Sequence, residues 1–279
     1  MKRKYVFPIL LAGLILFSCK KDKSNQPPIV TPPPVSDAQT VLLKDVVIQG
    51  LPTPYYHFEY DDSGYITQSG FSSGIRSYEI IHTGRRISEV KSNHPINKDR
   101  LVYQYESGKV FLVKYLDENA VNFRRCFISY NNIGQLSKME WERRMPSGIF
   151  AAERTLSFTY YADGNLQQLK NYRNSIDGQQ VEGTDIDNFE NYDNKVNPDG
   201  FSLIHSGNEH LLLLPGVKLQ KNNPLKITRT GTGVHYNIIN TCTYNELNRP
   251  LQKIGAVSIT SGPDAGQHFQ SHTTFTYYP

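Results

Sequence analysis

The stretch Leu156-Ser-Phe-Thr-Tyr-Tyr-Ala-Asp-Gly-Asn-Leu-Gln-Gln-Leu169 decides how the chain is read, because the sequence keeps returning to it. An apolar residue, a polar one and a tyrosine lead into a short polar turn, and aliphatic residues follow. The skeleton recurs at 58–69, 103–113, 128–139 and 242–254. Phe58, Tyr103, Ile128, Phe158, Cys242 and Phe275 are apolar, whereas their successors Glu59, Gln104, Ser129, Thr159, Thr243 and Thr276 are polar. Successive side chains of a strand point to opposite faces. This period of two therefore predicts antiparallel strands with one buried and one wet face.

The turns carry a second regularity. Gly64, Gly134 and Gly164 each follow a tyrosine by four residues, Asn248 replaces glycine after Tyr244, and the Tyr105–Gly108 copy is one residue shorter. Ile80 to Gly84 is a weaker copy. Gly and Asn tolerate positive φ, so these are tight hairpins. Beyond each turn the apolar residues lie three apart: Ile87 and Val90, Val110 and Val113, Leu136 and Met139, Leu166 and Leu169, Leu251 and Ile254. A flat strand cannot put residues i and i+3 on one face. A β-bulge after each turn restores the face and bends the sheet.

The expected architecture is all-β: an antiparallel meander of about ten to fourteen strands built from β-hairpin repeats and curled into a barrel or half-barrel. Residues 41–279 form this domain, with an irregular insertion at about 181–224. Within it, 201–214 reads as a short helix or a plug-like excursion over an end of the sheet, and strands resume at Leu225-Lys-Ile-Thr228.

The N-terminus reads differently. Lys2, Arg3 and Lys4 precede an apolar run from Tyr5 to Phe17 that stops at Ser18-Cys19. A basic start and an apolar run shorter than the roughly 20 residues of a membrane span make residues 1–18 a secretory signal. Leu16-Phe17-Ser18-Cys19 resembles a bacterial lipobox, with a bulkier residue than usual at Phe17. That resemblance makes Cys19 the lipidation site and the membrane its partner through acyl chains. Residues 19–40, carrying Pro27, Pro28, Pro32, Pro33 and Pro34, form an extended linker that cannot bury a core. The predicted address is the outer membrane, periplasmic or surface-facing.

Of the 30 basic residues three leave with the signal, so 27 face 26 acidic ones in the mature chain. The basic pI is thus an export feature, and no nucleic-acid partner is implied. Cys126 and Cys242 sit at even spacing before Tyr130 and Tyr244, which predicts buried free thiols, with a disulfide as the alternative.

The Tyr…Gly-x-Leu skeleton resembles the tyrosine–aspartate repeats of Rhs-type proteins in a divergent form. Tyr192-Asp193-Asn194-Lys195-Val196-Asn197-Pro198 and Leu219-Gln-Lys-Asn-Asn-Pro-Leu-Lys-Ile227 are similar to a family of Bacteroidetes outer-membrane lipoproteins of unknown function. The resemblance implies a porin-like fold and supplies no activity.

Chemistry is sparse. His268 and His272 stand about 13 Å apart along a strand, too far for one ion, and His205 and His210 read as surface residues. Asp185, Asp187, Glu190 and Asp193 lack the spacing of a calcium loop and read as a solvated acidic loop. Gly70-Phe-Ser-Ser-Gly74 is no nucleophile elbow. The 18 tyrosines and Trp141 suggest sugar stacking, but most fall on the apolar face, and Trp141 shares the parity of Met139. No catalytic residue, cofactor or metal is assigned. The expectation is a non-catalytic, lipid-anchored envelope module that binds or scaffolds an unknown glycan or protein, met where the repeat is interrupted between 181 and 214. The alternatives are an envelope enzyme acting on glycan or lipid, and a small integral porin-like barrel.

Overall fold

The computed structural model describes residues 42–176, 181–198 and 212–279. Cys19, the signal segment, the Pro-rich linker, His205, His210 and 201–211 lie outside the described residues. Among those described, sixteen antiparallel strands close into one barrel with each strand beside its sequence neighbour. The first eight are β1 (Leu43–Ile48), β2 (Tyr56–Tyr60), β3 (Ile66–Phe71), β4 (Arg76–Thr83), β5 (Arg86–Ser92), β6 (Arg100–Glu106), β7 (Lys109–Leu116) and β8 (Asn122–Tyr130). The rest are β9 (Leu136–Arg144), β10 (Phe150–Tyr160), β11 (Leu166–Arg173), β12 (Gly183–Tyr192), β13 (Pro224–Gly231), β14 (His235–Tyr244), β15 (Pro250–Ser261) and β16 (His268–Tyr277).

Sixteen exceeds the expected ten to fourteen, partly because β1 follows no turn signal and β12 occupies a stretch read as irregular. With β12 in place, the insertion narrows to 193–223. The closed barrel matches the shape that the repeats implied, and closure leaves no free sheet edge.

The expected bulges are present. Tyr160 pairs with Leu166 but Thr159 with Gln168, so Gln167 is the extra residue. The same slip occurs at the β2–β3, β4–β5, β6–β7, β8–β9 and β14–β15 turns. It also occurs at the seam, where Tyr277 pairs with Leu43 and Thr276 with Asp45, skipping Lys44. The barrel is thus closed by a hairpin copy assembled from the two ends of the domain, in which Leu43 and Val46 repeat the three-residue spacing of Leu166 and Leu169. Each bulge adds twist and bend, which is how short strands curl far enough to meet. The β12–β13 pair, which the insertion interrupts, runs without a slip.

The copy at 242–254 departs from expectation. Pro250 takes the place opposite Tyr244, Leu251 is the extra residue, and Lys253 rather than Ile254 turns inward beside Cys242. Leu251 is accordingly exposed.

The tyrosines stitch neighbouring hairpins together. Tyr160 O–H donates to the Leu136 carbonyl at 2.7 Å, Tyr105 to Ile87 at 2.8 Å, Tyr192 to Leu166 at 2.5 Å, Tyr277 to Pro250 at 2.7 Å and Tyr60 to Leu43 at 2.9 Å. Each acceptor is the first residue after the preceding turn or, for Leu43, the first residue of β1 at the seam. Tyrosine rather than phenylalanine is needed because bulged carbonyls lose their ladder partners, and a buried unpaired carbonyl is costly. Replacing Tyr160 with Phe is expected to lower stability by about 1 kcal/mol, read from the urea midpoint at unchanged slope.

Side chains pointing inward form the core: Phe58, Tyr78, Leu101, Tyr115, Met139, Trp141 and Leu156 are each at most 2% exposed. Trp141 is a core residue, as its parity implied. Cys126 and Cys242 are free thiols; Cys126 is buried, and burial pushes its pKa up.

Candidate functional site

The repeat turns at Gly64, Gly84, Gly108, Gly134, Gly164 and Asn248 share one end of the barrel, the alternate connections lie at the other, and the described parts of the insertion return from the repeat-turn end into the lumen. Leu212, Leu213 and Leu214 are 4%, 0% and 0% exposed. The Leu213 N–H donates to the Tyr103 hydroxyl at 3.2 Å. These three residues are not helical; they plug the interior rather than cover an end. Short amide side chains hold the insertion. Asn165, buried inside the β10–β11 turn, accepts from Lys221 N–H at 2.9 Å and Asn222 N–H at 3.0 Å. Asp193 accepts from Asn223 N–H at 3.0 Å and from the Tyr244 hydroxyl. Lys221 Nζ caps the turn by donating to the Asp163 carbonyl at 2.7 Å, close above Gly164, whose φ of 89° admits no ordinary side chain. The two phrases quoted for the family resemblance are therefore the latch of the plug.

Toward the opposite end the lumen is lined with charge. Glu153 lies between Arg143, 3.0 Å away at Nε, and Arg124, 2.7 Å away. Arg154 donates to Asn171 Oδ1 at 2.8 Å and sits over Trp141 at 5.6 Å, while Trp141 Nε1–H donates to Tyr115 O–H at 3.1 Å. Burial, with Arg124 and Arg173 nearby, pulls the Arg154 pKa down to about 10. Arg173 pairs with Asp185, which also accepts from Gly233 N–H at 3.1 Å. Arg229 grips Asp187 through two contacts of 2.7 and 2.6 Å, raising its own pKa. Burial pushes the neighbouring Tyr236 up to about 12.

Asp185 and Asp187 are thus not solvated loop residues. They face inward from β12, at 7% and 6% exposure, and neutralise arginines of β11 and β13. Burial alone would raise the Asp185 pKa, but hydrogen bonding and charge from Arg173 and the Gly233 N–H bring it below the ordinary carboxylate value. Its pairing therefore contributes stability that is present above the unfolded carboxylate pKa and lost as pH falls through the lowered one. Asp185→Asn should flatten the loss of stability below about pH 4, followed by Trp141 fluorescence in denaturant titrations.

Among the described residues no group of three or more His, Cys, Asp or Glu is placed to hold a metal. His268 bonds Ser258 Oγ at 2.9 Å and His272 bonds Gln270 at 3.3 Å, each at the surface and apart from the other. Between the latch and β1, β2 and β12 to β16 lies a cavity of about 300 Å³. Leu43, Val46, Ile48, Phe189, Ile227 and Phe275 make its apolar wall, and Cys242 and Lys253 open onto it. Cys242 faces inward as its spacing implied but is half-buried rather than buried, and Lys253, whose inward turn depends on the Leu251 bulge, was missed.

Together these features define a closed antiparallel barrel with a plugged lumen. No protein-family model matches the chain, and no curated protein is similar to it in sequence. The fold does have relatives. It is similar to a porin-like protein from Bacteroides uniformis ATCC 8492, with a TM-score of 0.54 and 10% identity over 85% of this chain and 95% of that one. A porin-like protein from Bacteroides vulgatus ATCC 8482 gives a TM-score of 0.54 and 12% identity over 85% of this chain and 99% of that one. At such identity the likeness shows a porin-like fold and nothing more.

Proposed function

We propose that this is a lipid-tethered, water-facing barrel of the outer membrane that binds or scaffolds a partner without catalysing a reaction. The outer wall carries the reading. Arg125 and Glu142 pair across it at 2.6 Å, Lys226 and Glu190 at 2.8 Å, Arg100 and Glu89 at 3.5 Å, and Lys138 lies 2.6 Å from Glu140 on the same strand. All point outward. A lipid-facing Arg or Lys costs about 2–4 kcal/mol at the bilayer midplane, so a belt of them disfavours integration. Away from the charged end, the interior is inverted relative to a water-filled channel: apolar side chains and the Leu212–Leu214 plug fill it. The Cys19 lipobox would then supply the membrane attachment.

The enzyme alternative calls for converging carboxylates or a histidine dyad in a cavity. The cavity lining instead carries one amine, one thiol and the uncharged polar side chains of Asn197, Gln220, Asn223 and Thr273 among apolar ones. Fractionation of a Cys19→Ala variant tests the tether. The expected result is release into the soluble fraction on cell breakage; retention in the membrane pellet through an alkaline carbonate wash would overturn it.

A further inference from the structure

Lys253 stands at a position that the other hairpins keep free of charge. Its equivalents, three residues past the first post-turn residue, are Val46, Val90, Val113, Met139, Leu169 and Ser69. All point into the lumen. In β15 the register pairs Lys253 with Cys242 on one side and Thr273 on the other, so its side chain enters the cavity.

No carboxylate pairs with Lys253 among the described residues, and it makes no hydrogen bond or ion pair there. The nearest ionisable group acting on it is the Cys242 thiol, and burial lowers its pKa. At the opposite end four inward arginines meet an acid, Arg124 and Arg143 at Glu153, Arg173 at Asp185 and Arg229 at Asp187, and Arg154 meets the Asn171 amide. Lys253 has neither kind of partner among the described residues and stands half-buried in a largely apolar cavity. An ammonium without a counter-charge in such surroundings is unfavourable, and a counter-charge delivered from outside removes the penalty. The rest of the lining is largely hydrocarbon and aromatic, with Asn197, Gln220, Asn223 and Thr273 as its polar part, which suits an amphipathic molecule.

We propose that the cavity binds a small amphipathic carboxylate, its apolar body against Val46, Ile227 and Phe275 and its carboxylate on Lys253. The inference stands apart from the tether reading, since it concerns the barrel interior only.

Calorimetric titration of the purified full-length protein with octanoate and octan-1-ol, each below its aggregation range, tests it. Octanoate is expected to bind at least tenfold more tightly than octanol. Lys253→Met should abolish that preference while leaving octanol binding and the circular dichroism spectrum unchanged, and Lys253→Arg should keep the preference. Equal affinity for the two probes, absence of octanoate binding to the unaltered protein, or an undiminished preference in folded Lys253→Met would each overturn the proposal.

Discussion

Replacing Glu153 with alanine should destabilise the barrel by about 3–5 kcal/mol, among the largest effects expected of any single charge removal. Glu153 is 4% exposed and pairs with the mostly buried Arg124 and the more exposed Arg143. Its removal leaves both guanidinium groups without that carboxylate, and Arg154 already repels Arg124. The outward pair Arg125–Glu142 is the comparison: it is solvated on both sides, and Glu142→Ala should cost about 0–1 kcal/mol. Chemical denaturation of both variants at neutral pH measures the difference.

Trp141→Ala should cost about 3–5 kcal/mol. The ring is 2% exposed, lies beneath Arg154 and donates to the Tyr115 hydroxyl. Truncation opens a void in the wall and strips a partner from each of two buried polar groups. The loss should exceed that of Tyr160→Phe, which removes one hydrogen bond and no volume. Because Trp141 is the only tryptophan, unfolding of this variant is followed by circular dichroism.

These two sites show where sequence reading works and where it stops. Trp141 was legible, because it continues the inward parity of Leu136 and Met139. Glu153 and Arg154 were not. Adjacent strand residues should face opposite ways, yet a slip between Ala152 and Arg154 lets both turn toward the lumen. The strand β12 was missed for a related reason. Its inward residues Asp185 and Asp187 are acidic and its outward Ile186 is apolar, so the alternation appears reversed until Arg173 and Arg229 are seen opposite. Local pattern cannot reveal charges supplied by neighbouring strands. By contrast, the hairpins, their glycines and the bulge at Leu166–Leu169 were readable, because a three-residue spacing has few other solutions in a strand. At Asn248 the positive φ of 59° bears out its equivalence to glycine.

Lys253 marks the limit. Its neighbours Leu251 and Ile254 carry the expected spacing, but the register starts one residue earlier, at Pro250, and puts a lysine where a branched aliphatic was anticipated. The plug was legible as an interruption and not as a filling, since Leu212–Leu214 meets Tyr103 only in the closed barrel.

The central claim is that the outer wall of this barrel meets water while its lumen is filled. It is tested by labelling single cysteines with a charged, membrane-impermeant maleimide in isolated membranes made accessible on both sides, the full-length protein carrying Cys242→Ser. Cysteines at Glu79, Lys170 and Thr241, outward on β4, β11 and β14, should all react rapidly, at rates unchanged when the membranes are dissolved in detergent. Protection of these three positions in the membrane, relieved by detergent, would mean that lipid covers the wall and would contradict the account.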